Sequence, residues 1–246
     1  MSTEEQEVAI PSRLSRPDFP FYQTRLSADT LYMIETQISG LTRPEDAVAA
    51  AAAGASYLGI IFTPGPYRVD ESLAREIVRA AGRVPVIGVF AGRLQVSEIL
   101  RISAEIGLTG VQLSPPHSTA DARRIRAMGL VVWRTQPLQS ERDLGWLAGV
   151  REAATAVVVG PKALNGLSGT QELLPLYLAR EARAHLPGHQ MVLAGGLTPD
   201  NVGEAIAEVR PDIVSVTTGL DLVPGVKDAR RIQRFMEAVL GHCSSH

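Results

Sequence analysis

The sequence predicts an α/β fold of the (β/α)8 barrel type, and three observations predict it. From Met33 onward, eight short apolar runs recur, each followed by a Gly- or Pro-containing turn and then by an amphipathic segment. Most of these runs are continuously apolar rather than alternating, as strands are when helices cover one face and a packed interior the other. The eight units have nearly equal length and together fill roughly 210 residues, near the small end of the range for this barrel. An open doubly wound sheet accepts the same alternation but rarely needs eight regular units.

Taken in order, the predicted strands are "MIETQIS", "YLGIIF", "VPVIGVF", "TGVQL", "LVVWRT", "TAVVVG", "MVLAGG" and "DIVSVTTG". The helical patterns that follow them are "RPEDAVAAAAAGA", "DESLAREIVRAAG", "QVSEILRISAEIG", "TADARRIRAMG", "SERDLGWLAGV", "TQELLPLYLAREARAHL", "PDNVGEAIAEV" and "VKDARRIQRFMEAVLG". The seventh unit is the most compressed. Its apolar run stops at Gly195-Gly196, and Thr198-Pro199-Asp200 then opens a segment with apolar residues at Val202, Ala205, Ile206 and Val209, which is helical spacing. Residues 1–32 form an N-terminal extension, expected to be partly flexible, whose Phe19, Phe21 and Tyr22 are expected to pack on the barrel. Residues 33–241 form the barrel and 242–246 a C-terminal tail.

Composition narrows the class. The chain has 246 residues, 45% hydrophobic and 20% charged, ordinary values for a soluble globular protein. A net charge of −2 gives no basic field to recruit nucleic acid. No apolar stretch approaches the ~20 residues of a membrane span, and the acidic, polar N-terminus is unlike a secretory signal. The single cysteine, Cys243, excludes a disulfide framework within the chain and fits a reducing cytoplasm. The five histidines show no metal-ligand spacing, and "GLSG" lacks the strand context and glycine count of a nucleotide loop.

In a barrel the strand-to-helix loops share one face, and that face carries the chemistry. Gly195 and Gly196 in the seventh loop let main-chain N–H groups approach a ligand, with a helix N-terminus behind them. The eighth loop repeats the pattern with Thr217, Thr218 and Gly219. Such glycines also serve tight turns. In adjacent seventh and eighth loops they point to a phosphoryl group, bound by Gly195, Gly196, Thr218 and Gly219.

"VLAGGLTPDNVGEAI" and "RPDIVSVTTGLDLVPGVKD" resemble the C-terminal quarter of the phosphoribosylanthranilate isomerase family. "SGLTRPEDAVAAAAAGASYLGIIFTPGPYRV", "VIGVF", "GVQL" and "NGLSGT" extend the resemblance in register from about Glu35 to Leu240. It implies an enzyme that opens the ring of a phosphorylated ribosylamine in an Amadori rearrangement, with neither cofactor nor metal. The partner it implies is a phosphorylated small molecule, with the protein a monomer or homodimer.

The chain departs from the family where that chemistry resides. A Lys-Ile-Cys-Gly motif, whose cysteine is the general base, is here Gln37-Ile38-Ser39-Gly40. A serine hydroxyl has no thiolate-like ionised fraction and needs a neighbouring base. Cys243 is expected to lie a helix length away from the active face. Counting back from "GLSG" puts Val159 at the place of the family's general acid. Ser114 stands where a histidine usually ends strand four, and Ser215 where strand eight usually has an aspartate. Ser39, Arg68 and Asp221 are therefore the candidates for contacts around the reacting carbon, Arg68 through its planar fork and Asp221 as the surviving carboxylate near the cradle. Glu35, Gln37 and Ser39 share one face of the first strand; Glu35 is expected either to have a raised pKa or to pair with Arg134. Lys162 supplies a cation or an amine, or is simply solvated, and His117 is a weak substitute for the lost histidine. Three functions remain open: a repurposed isomerase or related carbonyl chemistry, the ancestral isomerisation with relocated proton carriers, and a non-catalytic phosphate-ligand-binding protein.

Overall fold

The computed structural model of the chain describes residues 34–92, 94–162 and 171–243. The N-terminal extension, its aromatic cluster and the "GLSG" segment lie outside them. Eight parallel strands close into a barrel in sequence order: β1 (Glu35–Ile38), β2 (Tyr57–Ile61), β3 (Val86–Phe90), β4 (Gly110–Leu113), β5 (Val131–Leu138), β6 (Ala156–Pro161), β7 (Gln190–Ala194) and β8 (Ile213–Val216). Closure is made by β1, where Gln37 stands opposite Tyr57 on one side and Ser215 on the other. The (β/α)8 architecture read from the sequence is the one observed.

Strand alternation explains why the runs are continuously apolar. Ile87, Trp133, Ala156, Val158, Val192 and Ile213 point inward and pack together inside the barrel. Their neighbours, among them Ile60, Val111, Val132, Val157, Val159 and Leu193, point outward into the layer shared with the helices. Both faces are dry, so both alternating sets are apolar.

The helices are α1 (Pro44–Ala52), α2 (Glu71–Ala80), α3 (Val96–Ile106), α4 (Thr119–Ala127), α5 (Leu147–Arg151), α6 (Leu176–Ala184), α7 (Val202–Val209) and α8 (Ala229–Cys243). Three differ from expectation. The sixth starts at Leu176, not near Thr170, because Pro175 offers no N–H and its ring clashes with a preceding turn. The fifth divides into a 3-10 segment, Glu141–Trp146, and the short α5, with the weak helix former Gly145 inside the 3-10 segment. The last runs through Cys243, two residues into the expected tail. After β8 comes a 3-10 turn, Thr218–Leu220, then a small hairpin of β9 (Asp221–Val223) and β10 (Val226–Lys227) turning at Pro224-Gly225.

Glu35 and Arg134 do not meet. Arg134 lies between the inward-facing Trp133 and Thr135, so its guanidinium faces the helix layer, where it donates to the His117 carbonyl. Glu35 instead accepts a hydrogen bond of 3.4 Å from the Tyr57 hydroxyl. Burial holds the Glu35 carboxyl above the usual 4.5, with Tyr57 partly offsetting it. The folded chain therefore binds this proton more tightly than the unfolded chain. The resulting penalty is absent below pH 4.5 and is fully present once the pH exceeds the folded pKa. Glu35→Gln is thus expected to be more stable than the parent at pH 7 and equal to it near pH 4, as urea unfolding at the two pH values would measure.

Candidate active site

A cavity of about 530 Å³ opens at the C-terminal ends of the strands. Its position follows from the fold, because inward-pointing residues at strand ends have no further layer above them. The floor is polar but uncharged: Ser39, Gln112, Ser114, Thr135 and Ser215. Asp143 and Lys162 are the ionisable side chains that line the cavity among the described residues.

The floor is ordered by hydrogen bonds between neutral groups. The Ser215 hydroxyl donates to Gln37 Oε1 at 2.6 Å across the β1–β8 seam. The amide Nε2 of Gln37 is buried and has no hydrogen-bond partner. On the far side, Gln112 Nε2 and the Ser114 hydroxyl both donate to Thr135 Oγ1, each at 3.1 Å. Ser39 is 5% exposed and packs tightly over Gly59, where an added Cβ would come within 2.3 Å of its hydroxyl. Among the described residues its Oγ forms no hydrogen bond, so no base stands ready to take its proton.

The seventh and eighth loops form one wall, with Gly195, Gly196, Thr217 and Thr218 all lining the cavity. Gly195 and Gly196 have φ of 92° and 63°, a region that favours glycine. A Cβ on Gly196 would also lie 2.5 Å from the Leu173 main-chain nitrogen. Gly219 sits in the 3-10 turn with its Cα against the Leu197 carbonyl, so the two loops pack backbone to backbone. Asn201 braces the seventh loop: its Oδ1 accepts from the Thr198 N–H at 2.8 Å and its Nδ2 donates to the Gly196 carbonyl at 2.9 Å. The N–H groups of Gly195 and Gly196 make no hydrogen bond to another described residue.

The chain as a whole is similar to known proteins. The pattern of the N-(5'-phosphoribosyl)anthranilate (PRA) isomerase family matches residues 36–238. The chain belongs to the PRA isomerase family. It is 36% identical over 214 residues to an N-(5'-phosphoribosyl)anthranilate isomerase of Pseudomonas aeruginosa, covering 84% of this chain and 95% of the relative. A counterpart from Trichlorobacter lovleyi is 35% identical over 207 residues, covering 83% and 97%. The crystal structure of the Thermotoga maritima phosphoribosyl anthranilate isomerase superimposes with a TM-score of 0.76 at 30% identity, covering 85% of this chain and all of that one. A phosphoribosyl anthranilate isomerase in complex with reduced 1-(o-carboxyphenylamino)-1-deoxyribulose 5-phosphate superimposes with a TM-score of 0.74 at 28% identity, with coverage of 85% and 100%.

Of the three residues expected around the reacting carbon, Ser39 alone lines the cavity. Arg68 is exposed on the second loop, and the adjacent Tyr67 takes the inward place. Asp221 is buried beneath the eighth loop: one oxygen accepts from the Tyr67 hydroxyl at 2.6 Å and the other from Lys227 Nζ at 2.7 Å. Burial, followed by the carboxylate of Asp221, pushes the Tyr67 hydroxyl pKa upward. His117 is buried near Arg134 and does not line the cavity.

Val159 does not face the cavity. Its side chain packs outward among the helices, and Gly160 is the strand-end residue that faces the cavity. Neither Tyr67 nor Gly160 was found from the sequence, although period-two alternation from Val158 signals Gly160. Trp146 and Asp143 on the cavity rim were missed because both lie in what reads as an ordinary amphipathic helix.

Two predictions follow from the packing. A Cβ at Gly160 would lie 2.7 Å from the Ala194 carbonyl oxygen. Gly160→Ala is expected to destabilise by about 1–3 kcal/mol in urea unfolding. Gln37→Lys puts an ammonium beside Ser215 with no carboxylate on that strand, at an expected cost of about 3 kcal/mol. Adding Ser215→Asp is expected to restore at least ~1 kcal/mol of that loss, so a double-mutant cycle reads the coupling directly.

Proposed function

We propose that this chain is a cytoplasmic isomerase acting on a phosphorylated ribosylamine conjugate, with the phosphoryl group at the seventh and eighth loops. The observation that carries this reading is the cavity wall, where Gly195 and Gly196 present main-chain N–H groups that bond to no other described residue. A dianionic ester satisfies such donors, and Thr218 and Gly219 bring the 3-10 turn to the same wall. Membership of the PRA isomerase family supports the same ligand class.

The reaction in this reading is an Amadori rearrangement. The ring oxygen gains a proton as its bond to C1 breaks, leaving an iminium at C1; C2 then loses a proton to give an enaminol, which tautomerises to an amine at C1 and a ketone at C2 with no net change in composition. Ser39 serves as a hydrogen-bonding contact at the floor. Asp143 and Lys162 become the proton carriers, relocated from floor to rim. Asp221 acts indirectly, by fixing the eighth loop, and Arg68, exposed outside the cavity lining, takes no part in it.

The uncharged floor favours a second reading, a repurposed protein that binds a sugar phosphate without this turnover. One experiment separates them. Purified protein is expected to bind D-ribose 5-phosphate in calorimetry, to convert PRA, and to restore growth to an isomerase-deficient tryptophan auxotroph. Binding without conversion or growth would establish the second reading; no binding of any sugar phosphate would remove both.

A further inference from the structure

The fourth strand-to-helix loop is held from both faces of one neighbouring strand. Ser114, Pro115, Pro116 and His117 form a turn that the His117 N–H closes, donating to the Ser114 carbonyl at 3.3 Å. Ser114 and Pro115 line the cavity. Adjacent residues of β5 point to opposite faces of the sheet, and two of them hold the two ends of that turn. Thr135, facing inward, takes a hydrogen bond of 3.1 Å from the Ser114 hydroxyl. Arg134, facing the helix layer, donates from Nη1 to the His117 carbonyl.

Arg134 is a destabilising choice for a position that only packs. It is 6% exposed, its Nε is buried without a hydrogen-bond partner, and among the described residues no carboxylate lies within ion-pair distance. The carboxylate of Asp121, on α4, instead accepts from the Ser118 N–H at 2.8 Å and from the Ser118 hydroxyl at 2.9 Å. Burial accordingly holds the guanidinium below its usual pKa, with Asp121 opposing the shift. A buried charge without a close counter-charge lowers stability, and an apolar side chain of similar volume avoids that loss. Among the described residues, the guanidinium's one hydrogen bond goes to the loop that carries Ser114.

We propose that Arg134 is a positioning residue, which sets Ser114 against the ligand by holding the other end of its turn. The Ser114 and Thr135 hydroxyls share one hydrogen bond, so one of their two protons remains to be donated, and Ser114 Oγ keeps its lone pairs. A ligand hydroxyl both donates and accepts, and such a pair answers it. In the closed barrel β4 stands four strands from β8, so a contact at Ser114 is independent of one at the eighth loop. The inference rests on the ligand class proposed above, and its test separates the two.

Two binding probes and urea unfolding make the test. Inorganic phosphate engages the wall of the seventh and eighth loops alone, and D-ribose 5-phosphate adds hydroxyl groups for Ser114. In calorimetry the parent is expected to bind both, D-ribose 5-phosphate the more tightly. Arg134→Met is expected to weaken D-ribose 5-phosphate about 10-fold, the loss of one well-placed hydrogen bond, and to leave inorganic phosphate within about twofold. Its urea midpoint is expected to equal or exceed the parent's, because the unpaired buried charge is gone. Arg134→Lys, whose ammonium still donates to the His117 carbonyl, is expected to keep most of the D-ribose 5-phosphate affinity. Ser114→Ala is expected to weaken that probe alike, with little further loss when Arg134→Met is added, since both act through one contact. The inference is overturned by a lower urea midpoint or no folded protein for Arg134→Met, by equal weakening of both probes, by additive losses with Ser114→Ala, or by unchanged D-ribose 5-phosphate affinity. If the parent binds D-ribose 5-phosphate in an Arg134-dependent way but not inorganic phosphate, the phosphate assignment falls and the positioning role stands. If neither probe binds, both fall.

Discussion

The shape of the cavity mouth depends on one buried ion pair. Lys227 has a side chain that is 0% exposed, and its ammonium is 2.7 Å from the Asp221 carboxylate. Taking an ammonium out of water costs several kcal/mol unless its donors are met. Here Asp221 meets one and the Thr217 carbonyl, at 2.8 Å, another, while the ammonium lies 5.4 Å from the centre of the Tyr67 ring. Burial lowers the Lys227 pKa and Asp221 opposes the shift, so the pair is held as a unit. The consequences spread outward from it. Tyr67 brings the second loop to Asp221, the Lys227 N–H donates to Asp46 at the start of α1, and the Thr42 hydroxyl donates to the Gly225 carbonyl. Thr217, gripped from behind by Lys227, is itself cavity wall. The geometry presented to a ligand is thus inherited from a pair the ligand need not touch.

That arrangement explains which parts of the molecule were legible in sequence. The barrel was legible because each unit repeats a local signal, an apolar run, a turn and an amphipathic segment, and local signals survive without knowledge of the fold. The glycines of the seventh and eighth loops were legible for the same reason. Asp221 was recognisable as a carboxylate near the cradle, but its role depends on Lys227, six residues away across a hairpin whose strands are too short to carry a periodicity. Tyr67 and Arg68 differ only in which of two adjacent residues turns inward, and nothing local decides that. At Val159 and Gly160 the same single-residue ambiguity decides which residue faces the cavity. Trp146 was invisible for a different reason. An aromatic residue in an amphipathic segment reads as core, and only the packing of Leu144 and Leu147 reveals that the indole is left outside.

Two of the departures that the resemblance implies fall on side chains that touch. The resemblance implies a lysine and an aspartate where Gln37 and Ser215 stand, and those two side chains are hydrogen-bonded partners in the folded chain. Losing either charge alone would strand the other in the barrel interior, a far larger cost than replacing both with neutral polar groups. The replacement leaves one imperfection, the unsatisfied Nε2 of Gln37, whose cost is that of a neutral amide rather than of a charge. At Gly160 the Ala194 carbonyl of β7 occupies the space a side chain would need.

The pairing within the floor is a physical property of this chain. Drift at a site with no remaining use removes groups independently, and independent removal leaves unpaired buried charges or oversized gaps. The floor has neither an unpaired charge nor a gap at Gly160 among the described residues; its serines, threonine and glutamines bond to one another, except for Ser39. Meanwhile the opposite wall keeps two glycines in left-handed backbone conformations, with Asn201 bracing the loop between them and α7. One side of the cavity is a self-consistent neutral surface, while the other presents main-chain N–H groups that bond to no other described residue. The cavity is therefore two-sided: main-chain donors form one wall, and neutral groups that answer one another, Ser39 excepted, form the floor.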